Sequence, residues 1–180
     1  DIIAHIFDCY YFTMQKKLDM TDTVMENIIR TVIKYAPIAI REPKNIDARA
    51  NLMWASSWAL NGFLSTGIGL DATCHAIEHE LSAFYDITHG LGLAIIMPRW
   101  LEYVLDDDTA PTINKFGVNV FGLKKSESVM DGAKKAIEKL KEFLYETLGL
   151  ASTLSAIGIN DNQFEVMAKK ACGSSACLLY

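Results

Sequence analysis

At 180 residues and 20.0 kDa the chain is long enough for one domain with a sizeable core. A composition of 51% hydrophobic and 22% charged residues excludes disorder as the main state, and a formal net charge of −5 with no strongly basic stretch excludes a nucleic-acid surface. Four cysteines do not make a disulfide scaffold and point to a reducing compartment, so the cytoplasm is the expected location.

Asp1 to Lys17 reads as a first helix, because Ile2, Ile3, Ile6, Phe7, Tyr10 and Tyr11 recur at three-to-four spacing. Thr21 or Asp22 caps a second helix that runs towards Tyr35 and is expected to stop at Pro37. Glu42-Pro-Lys-Asn45 is a polar turn, and Asp47 to about Leu64 is a third helix with Trp54 and Trp58 one turn apart. Gly67, Gly69 and Asp71 make the next break. Ala72 to Tyr85 is a fourth helix, Asp86-Ile-Thr88 a cap, and His89 to Leu105 a fifth helix that Pro98 is expected to kink. Asp106-Asp-Asp108 precedes a helix starting at Pro111. Ser126 to Leu148 is a long amphipathic helix with Gly149 as its C-cap, and Asn160 or Asp161 caps a last helix through Lys170.

Seven or eight helices, no sustained period-two alternation and no fixed repeat make the class all-α, a multi-helix bundle spanning residues 1–180. Neither G-x-G-x-x-G nor G-x-x-x-x-G-K-[ST] occurs, and Gly67-Ile-Gly69 alone reads as a turn. No signal peptide is evident, and a chain that opens at Asp1 without methionine is expected to be a processed or excised piece of something longer. Ala50 to Leu70 carries no charge and is long enough to span a bilayer. Its asparagines, serines and three glycines favour a buried core helix instead, so no membrane partner is expected.

The four histidines are His5, His75, His79 and His89. Asp1 and His5 are four apart and share a helix face, as do His75 and His79. His75 and His89 are 14 residues apart, about 21 Å on one unbroken helix, too far for one ion to touch both. The break at Asp86-Ile-Thr88 turns the fifth helix back. Asp1, His5, His75 and His89 then converge from three helices, and three imidazoles with one carboxylate suit Zn²⁺ or Fe²⁺. The alternative is ordinary: such pairs also serve as surface or satisfied core groups. His79 is either a further polar group near the ion or a core or surface histidine.

The segment His75-Ala-Ile-Glu-His79-Glu-Leu-Ser-Ala-Phe-Tyr-Asp-Ile-Thr-His89-Gly resembles the signature of the iron-containing alcohol dehydrogenase family, and looks closest to its butanol-dehydrogenase-like branch. Asp1-Ile-Ile-Ala-His5 resembles that family's D-x-x-x-H element. Asp47-Ala-Arg-Ala-Asn-Leu-Met-Trp-Ala through Asn61-Gly62, and Gly92-Leu-Ala-Ile with Pro98, are similar too, so the resemblance covers about residues 1–170. It implies a helical C-terminal domain of the dehydroquinate-synthase-like type, with the family's N-terminal nucleotide-binding domain absent from this chain. It implies Asp1, His5, His75 and His89 as ligands of a divalent metal, Fe²⁺ or Zn²⁺. It implies His79 as the histidine beside nicotinamide and substrate.

By that resemblance the function is the metal-binding half of an NAD(P)-dependent alcohol dehydrogenase interconverting small alcohols and aldehydes, inactive alone and open to homo-oligomerisation through uncovered apolar surface. The alternative is a non-enzymatic helical metal-binding or oligomerisation module. A carboxylate-bridged di-iron bundle is disfavoured, because it needs paired E-x-x-H elements. Trp54, Trp58, Phe84 and Tyr85 are expected to pack in the core or else to wall the pocket. The tail Ala171 to Tyr180 does not continue as the family's last helix would, and Cys172 and Cys177 read as part of a loose tail rather than a metal pair.

Overall fold

A computed structural model of the chain describes residues 1–11, 18–66, 72–124 and 128–173. Among the described residues there are eight α-helices and no strand. They are α1 (Ile2–Ile6), α2 (Asp19–Arg41), α3 (Ile46–Leu60), α4 (Thr73–Tyr85), α5 (His89–Tyr103), α6 (Ala110–Phe121), α7 (Val129–Lys141) and α8 (Phe164–Gly173). The all-α reading therefore holds. One core joins them, built around Ile6, Phe7, Met25, Ile29, Leu81, Leu93, Leu101, Ile113 and Phe116. No helix among the described residues is long and apolar enough to cross a membrane.

Several elements differ from expectation. The first helix does not run regularly to Lys17. After Ile6 it widens into a π-wound turn, Phe7–Tyr11, and residues 12–17 lie outside the described set. Phe7 anchors that turn edge-on against Phe116, with ring centroids 4.5 Å apart. Helix α2 continues through Pro37 to Arg41. An internal proline costs about 3 kcal/mol. Burial of Met25, Ile28, Ile29 and Val32, each worth about 1.5–3 kcal/mol, offsets it, and Ile33 and Ala36 extend the packed face up to the proline.

Helix α3 corrects the reading of a buried core helix. It buries only Ala48, Ala55 and Ala59, while Met53, Trp54 and Leu60 are exposed, Trp54 to 67%. The contact stripe is made of alanines seven and four residues apart, so the large apolar side chains fall on the outer face. Trp54 is thus not a core residue; it stacks edge-on with half-buried Trp58, which also meets Phe63. Phe84 and Tyr85 are half-buried and pack against the core, Phe84 under the Lys170 ammonium. The cap of α3 is Asn45, whose Oδ1 accepts from Ala48 N at 3.0 Å.

Pro98 lies inside α5, which continues to Tyr103. The proline has no N–H for the Ala94 carbonyl, and the Tyr145 hydroxyl donates to that oxygen at 3.0 Å. Tyr145 sits on a second π-wound stretch, Glu142–Thr147, into which α7 passes where an unbroken helix to Leu148 was expected. Ser128 caps α7, and residues 125–127 lie outside the described set. Gly149 takes φ +69° after that stretch, in keeping with a C-cap. Helix α8 reaches Gly173, so Ala171 and Cys172 are helical rather than tail; Cys177 and the rest of 174–180 lie outside the described residues, as do Gly67, Gly69 and Asp71.

Candidate metal centre

The turn at Asp86-Ile-Thr88 does what the histidine spacing required. Asp86 ends α4 in the left-handed region at φ +51°, Thr88 is extended, and α5 starts at His89. The rings of His75 and His89, 14 residues apart in sequence, stand 5.5 Å apart. Helix α1 brings the remaining groups. Nε2 of His5, His75 and His89 lie 3.4, 3.5 and 3.5 Å from the same oxygen, Oδ1 of Asp1. Donor atoms of Asp1, His75 and His89 all fall within 4.8 Å of one another. His5 adds its ring 4.3 Å from that of His75.

Each inner histidine is backed by a carboxylate that is fully buried. Asp8, on the π-wound turn, holds His75: its Oδ2 lies 2.8 Å from Nδ1. As an acceptor it fixes the hydrogen on Nδ1 and leaves the Nε2 lone pair facing Asp1. The same carboxylate caps α4. Its Oδ1 and Oδ2 accept from the backbone N–H groups of Cys74 and His75, each at 2.9 Å. Ala72, the residue at the cap position, has no side-chain acceptor for that task, so Asp8, 64 positions earlier, supplies it.

Glu78 does the corresponding work for His89, pairing with its Nδ1. The Ser82 hydroxyl donates to the other oxygen, Glu78 Oε1, at 2.6 Å. Gly92 leaves room for that carboxylate: a Cβ there would stand 2.5 Å from Glu78 Oε1. Burial, and then the neighbouring His75 imidazole, hold the His5 pKa down to about 4, which keeps this ring in its neutral, electron-donating form.

His79 is exposed at the edge of the cluster. Its ring lies 5.4 Å from that of His89, nearly parallel, and 6.1 Å from that of His75. Asp1, His5, His75 and His89 therefore come together in space, with His79 beside them. Sequence reasoning missed Asp8 and Glu78. Each carried a signal: Asp8 lies three residues after His5 in an apolar run, and Glu78 stands three residues after His75 and three before buried Leu81.

The donor set fits a small divalent cation. A tetrahedral ion with ligands at about 2.1 Å has ligand–ligand edges of about 3.4 Å, the separation seen between Asp1 Oδ1 and the three imidazoles.

Comparison with known proteins establishes the family. A sequence profile described as the Fe-containing alcohol dehydrogenase family, C-terminal, matches residues 1–180. The chain belongs to the iron-containing alcohol dehydrogenase family. Within that family it is 46% identical over 170 residues to NADH-dependent butanol dehydrogenase B of Clostridium acetobutylicum, covering 94% of this chain and 43% of the relative. It is 31% identical to the NADPH-dependent aldehyde reductase YqhD of Escherichia coli, again over 94% of this chain and 43% of the relative. The crystal structure of NADH-dependent butanol dehydrogenase A from Thermotoga maritima superposes with a TM-score of 0.87 at 34% identity, covering 98% of this chain and 43% of that one. The chain thus spans less than half the length of these relatives.

Proposed function

We propose that residues 1–180 are the metal-binding catalytic domain of an NAD(P)-dependent alcohol dehydrogenase that interconverts small alcohols and aldehydes. The observation that carries this reading is the convergence of three imidazole Nε2 atoms on Asp1 Oδ1, with the Nδ1 atoms of His75 and His89 held by buried carboxylates. Lone pairs gathered around a carboxylate oxygen repel one another, and a divalent cation among them turns that repulsion into attraction. Asp1, His5, His75 and His89 hold Fe²⁺ or Zn²⁺ in this reading. When bound, the metal supplies Lewis acidity towards the substrate oxygen.

The chain's own residues do the rest. Asp8 and Glu78 orient His75 and His89 and raise their basicity as ligands. His79, exposed beside His89, passes the hydroxyl proton between substrate and solvent, since an imidazole has both a donor and an acceptor nitrogen. The hydride is exchanged with a nicotinamide nucleotide held by protein outside these 180 residues, so the chain alone does not turn over.

The test is a fusion of this chain behind the N-terminal part of Clostridium acetobutylicum butanol dehydrogenase B that precedes the matched region. The fusion oxidises NADH with butyraldehyde, and His89→Ala abolishes both metal and turnover. Full turnover in His89→Ala, with the metal lost, contradicts the assignment.

A further inference from the structure

A buried polar network joins the π-wound turn to α2 and α6. Glu26 of α2 is 4% exposed. Its Oε1 accepts from the Tyr11 hydroxyl at 3.0 Å, and Oε1 and Oε2 lie 2.9 and 3.0 Å from Asn119 Nδ2 on α6. Arg30 Nη1 donates to the Asn119 carbonyl at 2.9 Å, and Lys115 pairs with Asp22 alongside. Burying a carboxylate costs several kcal/mol unless its hydrogen bonds are made, and a leucine would fill such a helix interface more cheaply. Burial, followed by the charge of Glu26, pushes the Tyr11 phenol above its ordinary value, so it stays a donor.

The network's connection to the site is covalent. Tyr11 is the last residue of the π-wound turn Phe7–Tyr11, and Asp8 sits in the same turn, facing the other way onto α4. Asp8 has to meet two backbone N–H groups and one imidazole nitrogen at 2.8–2.9 Å together. An α-helical turn in this place would rotate Asp8 relative to Tyr11, because π winding spaces residues differently along the axis. Holding one end of the turn fixes the direction of the other.

We propose that Glu26, through Tyr11, is a positioning residue for the metal centre: it locks the π-wound turn so that Asp8 aims His75 at the ion. This rests on the metal reading above. It differs from a purely structural role, in which Glu26 only joins α2 to α1 and α6.

The experiment is a Co²⁺ titration of the 180-residue chain, read by its visible absorption, on wild type, Tyr11→Phe, Glu26→Gln, Asp8→Asn and the Asp8→Asn/Tyr11→Phe double variant. Thermal unfolding of each metal-free protein is measured beside it. Substitutions behind a metal-ligating histidine weaken metal binding roughly 10–100-fold. The expected result is that Asp8→Asn falls in that range and that Tyr11→Phe and Glu26→Gln weaken Co²⁺ binding several-fold. The double variant binds no more weakly than Asp8→Asn alone, because Tyr11 acts through Asp8.

Unchanged Co²⁺ affinity in Tyr11→Phe and Glu26→Gln, with only the unfolding temperature lowered, overturns the positioning role and leaves the metal reading intact. Losses that multiply in the double variant overturn it as well. A wild-type chain that takes up no Co²⁺ overturns both.

Discussion

Two helix pairs in this chain approach closely through a glycine, and what the glycine faces differs. Between α4 and α5, Gly92 faces the buried carboxylate of Glu78, and a Cβ would stand 2.5 Å from Oε1 and 2.7 Å from Cγ. Between α6 and α7, Gly117 faces the methyl group of Ala136, where a Cβ would also stand 2.5 Å away. The same close approach packs apolar surface in one pair, with Ala136 and Leu123 against the glycine. In the other it makes space for a charged group that orients a histidine. One glycine is needed for stability, the other for geometry at the site.

That contrast is open to direct attack. The largest effect is expected from Gly92→Ala. Its methyl group displaces Glu78 from His89, and metal affinity falls roughly 10–100-fold, as for other losses behind a ligating histidine; a Co²⁺ or Zn²⁺ competition titration reads it. Gly117→Ala overpacks the α6–α7 contact, costing about 1–3 kcal/mol of stability in urea unfolding while metal affinity stays within twofold of wild type. Tyr145→Phe is the mildest. It removes the hydroxyl that serves the Ala94 carbonyl opposite Pro98, lowering stability by about 1 kcal/mol with the centre unaffected. If Gly117→Ala disturbed metal binding as much as Gly92→Ala, the two pairs would not differ in the way described.

The helix count and the histidine cluster were legible because both rest on periodicity. Asp1 and His5 one turn apart, and a cap-like Asp86-Ile-Thr88 between His75 and His89, predict a turn that folds two helices onto one point. The groups behind the histidines were not, because a single buried Asp8 or Glu78 has no motif of its own. Their partners are 67 and 11 residues away and become neighbours only in the fold.

Helix winding was also hidden. Nothing in Phe7–Tyr11 or Glu142–Thr147 announces a π turn, and local preference cannot see that Tyr11 reaches Glu26 or that Tyr145 reaches Ala94. Pro37 misled for the opposite reason: its local veto on helix was outweighed by burial along α2. In α3 an uncharged run promised burial, but alanines make the contacts and the tryptophan and methionine face outwards.

Asp1, His5, His75 and His89 are proposed to hold a metal ion in this chain. The most direct measurement is metal content per chain by plasma mass spectrometry, on protein purified without chelator, beside His75→Ala. The expected result is close to one Fe or Zn per wild-type chain and none in the variant, with both folded by circular dichroism. A folded wild-type chain that carries no metal, or a His75→Ala variant that keeps it, would rule out a metal ion held by these four residues.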